Sequence, residues 1–261
     1  LSSTLAQADG EFELANNWAE NSWKSLQAQI GIEELLVVDV VNTPAGQKSL
    51  SVCKDGTNEN EDWVKVYEES FPSEQRQNLN ELRTQLGNGL MELDETRDQD
   101  GNIMCMTITE VFPGDRGLKI PPFLLACYTA VVPAMRGCGI GSIHRRKLGE
   151  LLSKEYPTYL GLFSEIESTK VDGLPPDVMQ TRVKRKNFFM RLGLIPLPVD
   201  YIFPSYHADD KPIHGELLWV PFETPQLAEN QLAGVVKRIY VDGYDLPPDD
   251  SLVEKVLSQF N

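Results

Sequence analysis

Histidine and cysteine are scarce in this chain of 261 residues, with three of the first and four of the second. Cys53, Cys105, Cys127 and Cys138 form no Cys-x-x-Cys pair, and no histidine stands at a zinc-ligand spacing from them. That pattern excludes the common structural zinc modules. Most of these cysteines sit in apolar or glycine-rich runs, where a free thiol packs as a small hydrophobe. The expectation is a reducing, cytoplasmic location without a disulfide framework. No apolar run approaches the roughly 20 residues that a bilayer crossing needs. The opening residues lack the basic-then-apolar pattern of an export signal. Positive charge is also short. Lysine and arginine number 24 against 39 acidic residues, leaving a formal charge of -15. Such a chain repels phosphate backbones and anionic headgroups at long range, so neither nucleic acid nor a membrane surface is expected as a partner. A cationic amine meets no such penalty.

What is present suits a globular protein. With 41% hydrophobic residues over 261 positions, there is ample material for one large domain or a catalytic domain with extensions. Phe12, Ala15, Ala19, Trp23, Leu26 and Ile30 recur at near-helical spacing, predicting an amphipathic helix over 11–30. Short Val-rich strands are expected at 35–41 and 49–54. A helical stretch over 61–86 breaks at Phe71-Pro72, with Ser73 as the expected cap of its second half. Strands follow at 89–98 and 102–112, joined through Asp98-Gln99-Asp100-Gly101, which is strong hairpin chemistry. Phe123 to Val132 is an almost wholly apolar run, as in a strand buried on both faces.

The strongest local feature comes next: Val131-Val132-Pro133-Ala134-Met135-Arg136-Gly137-Cys138-Gly139-Ile140-Gly141-Ser142, placed between that strand and a helix over 142–155. Glycines at alternate positions strip side chains from one stretch of backbone. Their N–H groups can converge on an anion, and the helix that follows adds its positive end. This suits a pyrophosphate. A P-loop would require Gly-Lys-Ser/Thr, and a dinucleotide fold would require G-x-G-x-x-G after its first strand; neither is here. A ligand-free glycine turn is the remaining alternative.

Further along, a strand is expected at 161–168, and a helix from Pro175 to about Leu192, closed by Gly193. Strands at 202–204 and 216–222 flank a polar loop containing His207 and His214, which have no third metal ligand nearby. Two helices separated by Gly243 and Pro247-Pro248 end the chain. His144 is expected on a helix surface, Lys184-Arg185-Lys186 on a solvated face, and Trp219 in the core. The pattern is α/β (α+β) with a mixed sheet.

Arg136-x-x-Gly139-x-Gly141 resembles the acyl-CoA motif of the GNAT (general-control-type N-acetyltransferase) superfamily, written Gln/Arg-x-x-Gly-x-Gly/Ala. Three flanking segments are similar too: Val131-x-Pro133, the Phe188 to Leu194 stretch, and Tyr67-Glu68-Glu69-Ser70-Phe71-Pro72. The resemblance covers about 49–222, leaving 1–48 as an N-terminal extension and 223–261 as a C-terminal helical extension. It implies a mixed, mostly antiparallel, splayed central sheet flanked by helices, with acetyl-CoA or another acyl-CoA as co-substrate and no metal. The strands ending at Val132 and spanning 161–168 would part to admit pantetheine. Thr129, Ala130 and Val131 would bond pantetheine through their backbone. Arg136, Gly137, Cys138, Gly139, Ile140, Gly141 and Ser142 would hold the diphosphate. Arg145, Arg146 or Lys147 could reach the adenosine phosphates or form a solvated helix face.

The implied reaction is N-acyl transfer to a primary amine of a small molecule or peptide. A lysine-like ammonium, with a pKa of about 10.4, must lose a proton before attack. Glu165 and Glu167 share one strand face by alternation and are candidate bases, or else a solvent-facing pair. Tyr128 stands where many relatives carry an acidic residue. The family's tyrosine acid is Phe189 here, so Tyr201 is the candidate donor. A binding-only acyl-CoA sensor or scaffold is the alternative function, and a nucleotide-binding regulator a third. A homodimer is left open.

Overall fold

The computed structural model describes residues 39–43, 46–54, 62–98, 100–117, 119–204, 213–223 and 226–260. The helix expected over 11–30 and the polar loop with His207 lie outside them. The described chain divides into two compact units. One draws on Ile32–Phe112 and Leu124–Pro157, the other on Pro113–Phe123 and Thr158–Asn261.

In the amino-terminal unit the strands run in the order β1 (Asp39–Thr43), β2 (Gly46–Lys54), β3 (Met91–Asp98), β4 (Ile103–Phe112) and β5 (Phe123–Val131). The first three pairings are antiparallel. The β3–β4 hairpin closes as its residues require. Gly101, at φ 83, donates to Asp98 O at 3.0 Å, and Asp98 Oδ1 accepts from the amides of Asp100 and Asn102 at 3.0 and 2.9 Å. A carboxylate that satisfies turn amides competes well with any other conformation. The register slips beside Thr96, so that Met104 is extra in β4. Its carbonyl accepts from Val132 N at 3.0 Å and holds the end of β5, a bulge used as an anchor.

Helices α1 (Asp62–Ser70) and α2 (Leu79–Gly87) cover one sheet face. Trp63, Val66, Tyr67 and Leu82 pack there with Leu93, Met106, Ile108 and Tyr128. Each fully buried large apolar side chain contributes about 1.5–3 kcal/mol. Ser73 is not the cap it was expected to be. It opens a short 3-10 turn, Ser73–Gln75, and Asn78 caps α2 by accepting from Asn80 N at 2.9 Å. The Phe71-Pro72 break shortens the helix further than the periodicity suggests, because proline bars continuation. Arg97 ties the start of α1 to β3, reaching Asp62 at 2.8 and 3.0 Å and Glu95 at 2.6 Å.

The other face receives α3 (Ile140–Glu155), and here the structure corrects two expectations. His144 is not on the surface. It is fully buried, with Nδ1 2.8 Å from Thr96 Oγ1 and Nε2 2.8 Å from Thr107 Oγ1. Arg145 is buried as well, its guanidinium 3.5 Å from Thr129 Oγ1, so it belongs to the helix–sheet interface and to no solvated face. Burial holds His144 down to about 3, which keeps the ring neutral.

In the carboxy-terminal unit β9 (Ile213–Val220) is central. It pairs antiparallel with β6 (Leu162–Glu167) on one edge, and with β7 (Ile195–Pro196) and β8 (Tyr201–Phe203) on the other. β7 is too short for a sequence pattern to register. Gly161, expected inside the strand, precedes it at φ 133, where a Cβ would stand 2.1 Å from Val220 O. Helix α4 (Pro176–Arg191) packs through Phe189 onto Ile166, Leu194 and Leu218. Trp219 is core, as expected, and its indole N–H donates to Leu160 O at 3.0 Å. The C-terminal segment forms α5 (Glu229–Arg238), a π-turn over Ile239–Gly243, and α6 (Ser251–Leu257). The architecture is α/β (α+β), with mostly antiparallel strands flanked by helices.

Candidate functional site

The glycine loop is laid out by its two neighbours. β5 ends where Val132 is pinned to Met104, and Pro133–Met135 makes one 3-10 turn. Arg136 then folds back, with Nε 3.2 Å from Val131 O. Gly137 and Gly139 both take φ 83, a left-handed conformation that costs other residues about 1–2 kcal/mol. Gly139 is the residue from which α3 starts. Ile140 is buried against Met104 and Cys105 and fixes the helix axis.

The amides of this loop divide into two groups. Cys138 donates to Met135 O at 3.5 Å, and Ser142 and Ile143 to Gly139 O at 3.0 and 3.2 Å. The N–H groups of Gly137, Gly139, Ile140 and Gly141 meet no acceptor among the described residues. Gly137 and Gly139 are exposed, and a Cβ at either would meet nothing within 4 Å. Unbonded amides at the positive end of a 16-residue helix are donors that an anion such as a diphosphate could use. Arg146 is exposed and Lys147 half-buried on the same helix. Thr129 turns its hydroxyl inward, 3.0 Å from Thr107 Oγ1, and leaves only its backbone for a ligand.

Among the proposed catalytic residues, Tyr128 lies in this unit. It is 4% exposed, and its ring meets Tyr67 edge-on at 4.9 Å. Its hydroxyl accepts from Gln77 N at 3.1 Å and donates to Gln75 O at 3.4 Å, which gives it a clear part in locking the loop before α2.

Glu165, Glu167 and Tyr201 lie in the carboxy-terminal unit, and there the two glutamates part company. The carboxylate of Glu167 forms an ion pair with Arg185 of α4. Glu165 accepts from the hydroxyl of Tyr201, and Tyr244 OH stands 3.2 Å from each of its oxygens. Burial pushes Glu165 up to about 7, against the opposing pull of its two tyrosine partners. A carboxyl titrating near neutrality is suited to general-base work. Tyr201 is buried, as is Phe189, which sits in the apolar cluster under α4. Tyr244 is half-buried. Sequence reasoning missed it because it follows an irregular turn in a segment without a recognised motif.

The same unit contains an open cavity of about 940 Å³ walled in part by Tyr201, Lys186, Glu216 and Lys255, and Glu165 is not on its wall. Lys186 and Glu216 are already paired there, and Glu216 also accepts from Thr169 N and Oγ1, both at 2.8 Å. Among the described residues no group of three or more His, Cys, Asp or Glu could hold a metal ion, and no helix is long and apolar enough to cross a membrane.

No family model matches the sequence, and comparison with curated proteins gives no match. Solved structures do match. A GNAT-family protein from Bacteroides thetaiotaomicron superposes with a TM-score of 0.57 at 19% identity, over 75% of this chain and 99% of its own. The chain has the GNAT fold. Two other solved structures match at lower scores. The ribosomal-protein-S18-alanine N-acetyltransferase of Escherichia coli gives a TM-score of 0.47 at 14% identity, over 69% of this chain and 96% of its own. Arabidopsis thaliana NAA60, solved in complex with acetyl-CoA, gives 0.45 at 10% identity, over 65% and 96%. At 19% identity the first of these likenesses is one of fold alone, and chemistry must be argued from the residues.

Proposed function

We propose that this protein transfers an acetyl or related acyl group from acyl-CoA to a primary amine by direct attack. The carrying observation is the set of unbonded amides at Gly137, Gly139, Ile140 and Gly141, at the helix start of a GNAT fold. They match the diphosphate of coenzyme A in charge and in donor chemistry. Thr129, Ala130 and Val131 would offer backbone partners to pantetheine, and Arg136, Cys138 and Ser142 complete the turn around the diphosphate. The net charge of -15 suits a cationic acceptor, either a small molecule or a peptide.

In this reading Glu165 takes the proton from the ammonium, and the freed amine attacks the thioester carbon. The tetrahedral intermediate then collapses with loss of the CoA thiolate, and the remaining excess proton on nitrogen passes to that thiolate through solvent, leaving a neutral amide and CoA thiol. Tyr201 keeps the carboxylate oriented. Glu167, held by Arg185, and Tyr128, held by backbone, support their strands.

A second reading, an acyl-CoA-binding domain without transfer, is favoured by one observation. Phe189 stands where a phenol donor would be expected, and the hydroxyl of Tyr201 is bonded to Glu165. The two readings separate in one experiment. Acetyl-CoA binding is measured by calorimetry, and CoA release by thiol assay with a panel of small amines and amino-terminal peptides. Transfer predicts release that rises with pH through about 7, as Glu165 ionises, and a drop of roughly 100-fold or more in kcat/KM for Glu165→Gln. Tight binding with no release for any amine would favour the second reading, and absence of binding would end both.

A further inference from the structure

Tyr244 lies beyond the stretch that resembles the GNAT motifs, yet it completes the setting of Glu165. Its amide donates to Ile239 O at 3.0 Å, closing the π-turn over Ile239–Gly243. Such turns are rare and concentrate at functional sites. This one is firmly seated: Tyr240 is fully buried, and its hydroxyl donates to Ile202 O at 2.7 Å and accepts from Ile202 N at 3.2 Å. Tyr240 and Tyr244, four residues apart, share one side of the turn, with ring centroids 6.5 Å apart. The Tyr240 ring stacks on Tyr201 at 5.3 Å. The hydroxyl of Tyr244 therefore stands equidistant from both Glu165 oxygens, while Tyr201 grips one of them.

We infer that Tyr244 is a positioning residue for Glu165. Its hydroxyl orients the carboxylate, favours the ionised form and links it to solvent through the half-buried phenol. The inference rests on the reading of Glu165 as the base. Among the described residues, the groups that face this carboxylate are phenols: Tyr201 from β8, and Tyr244 with the more distant Tyr240 from the C-terminal segment. Glu167 on its own strand is committed to Arg185, and Asp242, beside Tyr244 in sequence, is committed to Arg238 at 2.7 Å. A hydrogen bond to the charged form lowers the pKa of a carboxyl, so its loss must raise it.

The test is Tyr244→Phe, which removes one oxygen and keeps the ring. The Glu165 carboxyl is titrated by carbon-13 NMR in the full chain, with its resonance assigned through Glu165→Gln. The expected result is an upward shift of roughly 0.5–1 pH unit, a hydrogen-bond-sized effect, with the thermal midpoint little changed. An unmoved or lowered midpoint of titration in a folded Tyr244→Phe protein would overturn the inference. Should Tyr244→Phe fold poorly, Tyr244→Met, which fills the space with an apolar side chain that has no hydrogen-bond donor, is titrated in its place and judged by the same criterion. The underlying reading fails separately, through undiminished acyl transfer by Glu165→Gln.

Discussion

Gly139 shows how much can rest on one missing side chain. Its φ of 83 lies where only glycine is comfortable, yet a Cβ there would touch nothing within 4 Å. Gly139→Ala should therefore act through the backbone and not through a clash. At about 1–2 kcal/mol, the left-handed penalty corresponds to a loss of acetyl-CoA affinity of roughly 5- to 30-fold. Gly149 makes the matching control. It lies within α3 with equally open space and no positive φ, so Gly149→Ala should leave calorimetric affinity unchanged while favouring the helix. The alternating glycines were legible because glycine is the residue that positive φ selects. Glu165 and Glu167 were legible as a pair, since strand alternation needs no tertiary knowledge. That one glutamate meets phenols and the other a guanidinium was not, because neither Tyr244 nor Arg185 is near them in sequence.

The first turns of α3 bury a polar side chain whose sequence signal had gone unread. His144 falls four residues after Ile140 and four before Leu148, on the stripe that continues to Leu152, all of them buried. Periodicity alone places the ring inward; the assumption that histidine belongs outside hid it. Both ring nitrogens meet threonine hydroxyls from β3 and β4, so the imidazole couples the glycine loop's helix to two strands. His144→Ala should remove the imidazole partner of Thr96 and leave Thr107 with Thr129, and cost about 2–4 kcal/mol in urea unfolding. The pH dependence has a definite sign. With its folded pKa lowered to about 3, His144 contributes stability above the unfolded value near 6.5, and that contribution is lost as pH falls from 6.5 toward 3. The slope of stability against pH in that window should therefore be shallower in the His144→Ala variant.

The C-terminal segment, which no motif marks, is built into the carboxy-terminal unit through a wholly apolar face. Leu232, Val235, Val236, Ile239, Tyr240, Val253 and Val256 are all buried. At about 1.5–3 kcal/mol for each, their loss is comparable to the roughly 5–15 kcal/mol that holds a typical domain folded. A chain ended before Glu229 should lose its cooperative thermal transition, which calorimetry would register, and with it the seat of Tyr244. Local chemistry was enough to specify the Asp98–Gly101 reversal, the buried strand before the loop, the glycine turn, the helix after it and thus the GNAT likeness. Each of these depends on φ preferences, side-chain alternation or apolar period within a few residues of one another. Burial of His144 and Arg145 and the union of Glu165 with Tyr201 and Tyr244 were settled by the packed chain. Such contacts join residues tens of positions apart, and the energy of desolvating a charge depends on what surrounds it in space and not on its neighbours along the backbone.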